Sequence, residues 1–106
     1  MRTERKSAAS RYFEEITGGP LTLSKLIYAI RMGEEKSQAT FAKELKISRS
    51  HLCDIEKGRK HLSPLRAEEF ARLLGYSESQ FIRLSLEKEI SSLKGKYKIS
   101  IEKKAA

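Results

Sequence analysis

An all-α fold of five helices is what this sequence predicts, and three observations predict it. Apolar residues recur at helical spacing in five successive stretches between residues 21 and 93. Ser37, Ser48, Ser63 and Ser77 stand ahead of four of them, and Gly33, Gly58 and Gly75 follow three; these are the residue types that cap helix starts and ends. The alternating period of a strand is confined to one short run near the end of the chain.

The elements follow in order. Ala9, Tyr12, Phe13 and Ile16 suit a short leading helix in an N-terminal extension over residues 1–20, one too short to hold without a partner. Leu23, Leu26, Ile27 and Ile30 form the stripe of a first core helix, with Gly33 at its end. Ser37 caps a second, whose inward residues are Phe41, Ala42 and Leu45. Lys46 and Ile47 make a tight turn, and Ser48 opens a third helix running to about Lys57. Ser63-Pro64 is a cap followed by proline at the first helical position, leading into Ala67, Phe70, Ala71 and Leu74. Ser77 and Gln80 match a capping box for a fifth helix. That helix carries Phe81, Ile82, Leu84, Leu86, Ile90 and Leu93, more apolar positions than one stripe needs, so a second buried surface is expected, most simply a subunit contact. Domain boundaries therefore fall at 21 and 93. Beyond them, Tyr97, Ile99 and Ile101 alternate with Lys98, Ser100 and Glu102, so residues 94–106 read as a basic tail or a strand that pairs across a dimer.

Composition narrows the function. Twenty-two Lys and Arg against 14 Asp and Glu make a net charge of +8 in 106 residues, with a pI near 9.7. The excess suits a polyanionic partner; on charge alone, nucleic acid, acidic membrane and acidic protein stay open. No stretch approaches the ~20 apolar residues of a membrane span, and the opening residues lack the apolar segment of a signal peptide. The single cysteine, Cys53, cannot form an internal disulfide and fits a reducing cytoplasm. His51, Cys53 and His61 are too few for a zinc site, and no cofactor is expected. Cys53 lacks a base partner for nucleophilic catalysis, so no enzymatic activity is expected either.

The stretch 38–58, QATFAKELKISRSHLCDIEKG, carries the chemistry. Two short helices joined by a tight turn form a helix-turn-helix, the unit that places one helix in the major groove of DNA. In the 48–57 helix Leu52 and Ile55 face inward, leaving Arg49, Ser50, Cys53, Asp54 and Lys57 on the opposite or flanking side. Base contacts are expected from Arg49, whose planar fork matches the O6 and N7 of guanine, from Ser50, and from Asp54, which can accept from cytosine N4 or orient a basic neighbour. Phosphates would be met by the amide end of the second helix at Gln38, by Ser48, and by Lys46, Lys57, Arg59 and Lys60 around the unit, with Lys36 also near its edge.

At these residues the chain resembles the XRE family, the helix-turn-helix of lambdoid phage Cro and repressor proteins. The resemblance spans residues 21–86 and rests on Gln38, Ala42, Leu45, Ile47, Leu52, Ile55 and the Ile-Glu-Lys-Gly ending at Gly58. It implies a five-helix, lambda-repressor-like DNA-binding domain. Gln38 would contact phosphate, Ser48, Arg49, Ser50 and Asp54 would meet DNA, and Arg31 and Glu56 would form an internal ion pair. One departure stands out: Lys46 occupies the turn position usually held by glycine, where a left-handed backbone costs an L-residue ~1 kcal/mol.

The expectation is thus a dimeric, sequence-specific transcriptional regulator, most simply a repressor, on an inverted-repeat operator. Two alternatives share the fold: a HigA-type antitoxin that binds a toxin protein and represses its own operon, and a protein-bridging adaptor that reads no bases.

Overall fold

A helix needs caps at both ends and a partner for its apolar face, and both conditions are met five times here. The computed structural model describes residues 21–93 and 96–105. Five α-helices form among them: α1 (Leu23–Gly33), α2 (Gln38–Leu45), α3 (Arg49–Glu56), α4 (Pro64–Leu74) and α5 (Glu78–Glu89), followed by a 3-10 turn at Ser91–Leu93. The leading helix expected within residues 1–20 lies outside the described residues. None of the described helices is long and apolar enough to cross a membrane.

Every start is capped by a hydroxyl. Thr22, Ser37, Ser48, Ser63 and Ser77 each accept a hydrogen bond from the N–H three residues on, satisfying one of the orphan donors of the first turn. Pro64 occupies the first turn of α4, where no N–H is needed.

Three helices share one ending. After α2, Lys46 takes a left-handed conformation (φ 61°, ψ 38°). Its N–H bonds to Lys43 O at 3.1 Å, and the N–H of Ile47 reaches back to Ala42 O at 3.0 Å. Gly75 does the same after α4, with Tyr76 returning to Ala71 O at 2.9 Å. Gly58, at φ 77°, does so after α3, with Arg59 returning to Asp54 O at 2.8 Å. This pattern satisfies carbonyls that the helix itself cannot. The α1 end differs: Gly33 is the last helical residue, and Glu35, not a glycine, takes the positive φ of 54° in the loop that follows.

The core is one cluster. Leu23, Leu26, Ile27 and Ile30 of α1 meet Phe41, Ala42 and Leu45 of α2, Leu52 and Ile55 of α3, Ala67, Phe70 and Ala71 of α4, and Phe81 and Leu84 of α5. Leu62, in the loop after α3, is buried as well. Its carbonyl accepts from the fully buried Ser85 Oγ at 2.7 Å, so the hydroxyl of the one buried polar residue among the described residues is satisfied. Ile47, Leu74 and Tyr76 lie at the edge of the core.

Two expectations concern surfaces that a single chain leaves open. Only Phe81, Leu84 and Ser85 of α5 are buried; Ile82, Leu86 and Ile90 are half-buried and Leu93 is 43% exposed, so the surplus apolar stripe lies at the surface of the chain. Residues 96–105 adopt no regular secondary structure. A strand draws its hydrogen bonds from a neighbour, and the described chain, being all helix, offers no sheet edge. Ile99 and Ile101 are half-buried and Tyr97 is 65% exposed.

Lys46→Gly should raise stability by up to ~1 kcal/mol, because glycine takes the left-handed turn without the steric cost. Urea unfolding followed by circular dichroism measures it; an unchanged or lower midpoint would show that the lysine stem packs favourably enough to offset the strain.

Candidate nucleic-acid interface

The third helix presents its faces as a reading element does. Leu52 and Ile55 are buried, whereas Arg49, Ser50 and Lys57 are exposed and His51, Cys53 and Asp54 are half-buried. Eight residues rise ~12 Å, comparable to the ~12 Å width of the major groove of B-DNA. So short a helix does not persist on its own; its orientation comes from what grips it.

The grip is an ion pair between α1 and α3. Arg31 Nε donates to Glu56 Oε2 at 2.7 Å and Nη2 to Oε1 at 3.0 Å, with the two side chains only 12% and 4% exposed. Arg31 Nη1 donates to the Lys36 carbonyl at 3.0 Å, and its guanidinium carbon lies 5.5 Å from the centre of the Tyr28 ring. One planar fork therefore joins α1, the loop into α2 and the end of α3. The hydrogen bonds from Glu56 hold Arg31 above its ordinary pKa, against the opposing effect of burial.

A polar chain runs from this pair to the exposed surface. Gln38 Nε2 donates to Glu56 Oε1 at 3.0 Å, and Gln38 Oε1 accepts from Arg49 Nη1 at 3.1 Å. The Gln38 side chain is thus committed to the protein at both ends, and it is the backbone N–H at the first position of α2 that lacks an intrahelical acceptor. Arg49 in turn is steadied through one of its five donors, and the rest of its fork makes no hydrogen bond among the described residues.

The remaining residues separate by environment. Ser48 Oγ accepts from the His51 N–H at 3.0 Å and sits exposed at the amide end of α3. Lys46, Lys57 and Lys60 are exposed around α3. Lys36 is engaged with Glu34 and Glu44, which neutralise it and set it apart from Lys46, Lys57 and Lys60. Asp54 is paired with Arg59: Arg59 Nε and Nη2 lie 2.9 and 2.8 Å from Asp54 Oδ1, and this contact raises the Arg59 pKa. His61 sits 3.2 Å from Glu89, tying the loop after α3 to α5. Sequence reasoning allowed Asp54 to orient a basic neighbour without naming Arg59, whose signal was the five-residue offset across Gly58; it did not foresee the Gln38 bridge or the Ser85–Leu62 bond, which had no signal.

Residues 27–81 match the helix-turn-helix family. That is more than half of the chain, and it spans α2, α3 and α4 with most of α1 and the start of α5: the protein belongs to the XRE-type helix-turn-helix family, whose members bind double-stranded DNA as transcription regulators. Comparisons with curated proteins and with solved structures give no match.

Glu56→Ala should destabilise the domain by about 2–3 kcal/mol, somewhat less than a fully enclosed ion pair, because Arg31 loses its carboxylate but keeps the Lys36 carbonyl and a partly open edge. Denaturant unfolding measures the loss. A change of under about 0.5 kcal/mol would mean that the pair behaves as an ordinary surface contact.

Proposed function

We propose that the protein is a cytoplasmic, sequence-specific transcriptional repressor that binds as a homodimer to an inverted-repeat operator. The observation that carries this reading is the construction of α3. Its inward face is locked by Leu52, Ile55 and the Glu56–Arg31 pair, while its first turn presents Arg49 and Ser50 to solvent. A helix held at its buried end and open at its amino end is suited to reading base edges.

In this reading Arg49 bonds the O6 and N7 of a guanine, and Ser50 meets a neighbouring edge. The backbone N–H of Gln38, the Ser48 hydroxyl and the Lys46, Lys57 and Lys60 ammonium groups meet phosphates on either side, adding affinity without sequence information. The net charge of +8 favours approach to DNA. Dimerisation is supported by the half-exposed stripe of Ile82, Leu86 and Ile90, continued by Leu93. A two-fold axis beside it would set the recognition helices one DNA turn, ~34 Å, apart. No catalytic role is assigned to any of these side chains.

Selection from a random DNA library with the purified protein tests the function, and a two-fold symmetric enriched motif is the expected result. A library that enriches nothing would favour the protein-bridging role. Arg49→Ala should lose discrimination at one base pair in each half-site, at a cost of ~1–3 kcal/mol on the preferred sequence; an equal loss on random DNA would remove it from base reading. Lys60→Ala should weaken all sequences alike and lower the salt slope by about 1, whereas an unchanged slope would take Lys60 away from phosphate.

A further inference from the structure

We propose that Arg59, held by Asp54, is a base-reading residue of the interface, and that Asp54 serves DNA recognition by positioning that arginine. The inference rests on the reading that α3 enters the major groove.

The starting point is the shared ending of α2, α3 and α4. In each, the residue after the left-handed position returns its N–H to a carbonyl five residues back, which places its side chain beside that of the earlier residue. In α2 the two residues are Ala42 and Ile47, and in α4 they are Ala71 and Tyr76. In both, the returning residue packs against the core cluster that holds the earlier alanine, and an apolar contact is the usual companion of this motif. In α3 the two residues are Asp54 and Arg59, and an ion pair stands where the apolar contact would be.

Stability does not explain the exchange. The Arg59 and Asp54 side chains are 58% and 31% exposed, and exposed pairs add little. A carboxylate on the outward face of a recognition helix also repels phosphate, so an unpaired Asp54 would oppose binding. With Arg59 over it, that charge is neutralised and the outward face gains a rigid donor.

The geometry says which donors are left. Arg59 Nε and Nη2 both point at the single oxygen Oδ1, and Nη2 also lies 3.9 Å from Cys53 Sγ. The carboxylate therefore holds the side edge of the guanidinium. Neither Nη1 hydrogen makes a hydrogen bond among the described residues, and the outer Nη2 hydrogen, which completes the end of the fork with one of them, has only the 3.9 Å thiol contact. That end is the part whose two parallel N–H groups match the O6 and N7 of guanine. Asp54 lies one turn after Ser50 on the same face, so a guanidinium clamped to it extends the reading surface past the two turns of α3. The arginine stem is ordered before DNA arrives, and less freedom is lost on contact.

DNA selection and equilibrium binding by wild type, Arg59→Ala, Arg59→Lys, Asp54→Asn and the Arg59→Ala/Asp54→Asn double variant test this, with thermal melting to show that each is folded. The expected result is loss of one guanine preference, at the same position in each half-site, in all four variants. The preferred site should weaken about 5- to 150-fold, and the double variant should be no less selective than Arg59→Ala. Arg59→Lys keeps the charge but not the fork, so its binding to random DNA should stay close to wild type. Three outcomes would overturn the proposal: full selectivity in Arg59→Lys, which a phosphate contact would allow; loss at different positions in Asp54→Asn and Arg59→Ala, which independent contacts would give; or a motif that depends on Arg49 and ignores Arg59. A wild-type protein that enriches no motif would instead remove the major-groove reading itself, and this inference with it.

Discussion

A recognition helix of eight residues has no stability of its own, and the rest of this structure follows from how that shortage is met. Leu52 and Ile55 supply the hydrophobic hold, and the Arg31–Glu56 pair supplies direction. Apolar burial is tolerant of small rotations, whereas a two-pronged guanidinium–carboxylate contact is not. Arg31 sits on the longer α1, which is buried along Leu23, Leu26, Ile27, Ala29 and Ile30. The orientation of α3 is thereby referred to a buried helix and not to the exposed side chains at its surface.

The same pair organises the polar surface. Glu56 accepts from Arg31 and Gln38, and Gln38 passes the constraint to Arg49. At the other end of α3, Asp54 and Arg59 fasten the first loop residue after Gly58 to the helix. Both ends of an exposed helix are therefore ordered by hydrogen bonds that reach the outward face. Such order lowers the entropy that a DNA-bound state would otherwise cost. It also shows why the charge of individual residues is a poor guide here: Lys36 is neutralised by Glu34 and Glu44, while Lys46, Lys57 and Lys60 stay exposed around α3.

Much of the fold was legible because its signals are local. Ser37, Ser48, Ser63 and Ser77 cap the helices they precede, and a cap depends on three or four neighbouring residues alone. The i, i+3, i+4 spacing of Leu23, Leu26, Ile27 and Ile30 needs only one helix to be meaningful. The left-handed Lys46 was readable from its place between two helices, and the structure adopts it with a lysine. Gly33 shows the limit of such reading: it ends its helix, yet the positive φ falls on Glu35, because the path of the chain into α2 decides which loop residue must turn.

The sequence by itself determined the helix count, the caps, the inward stripes and the family to which the helix-turn-helix belongs, since each depends on residues close together in the chain. Only the tertiary structure decided what those residues do for one another. It gave the Arg31–Glu56 pair, which the family resemblance implied, its two-pronged geometry, it joined Ser85 to Leu62 across 23 positions, and it committed the Gln38 side chain inward. It left the Ile82, Leu86 and Ile90 stripe half-exposed at the surface of the chain. Within a single chain the alternation at Tyr97, Ile99 and Ile101 forms no strand, because a strand is completed by a neighbour and a helix is not.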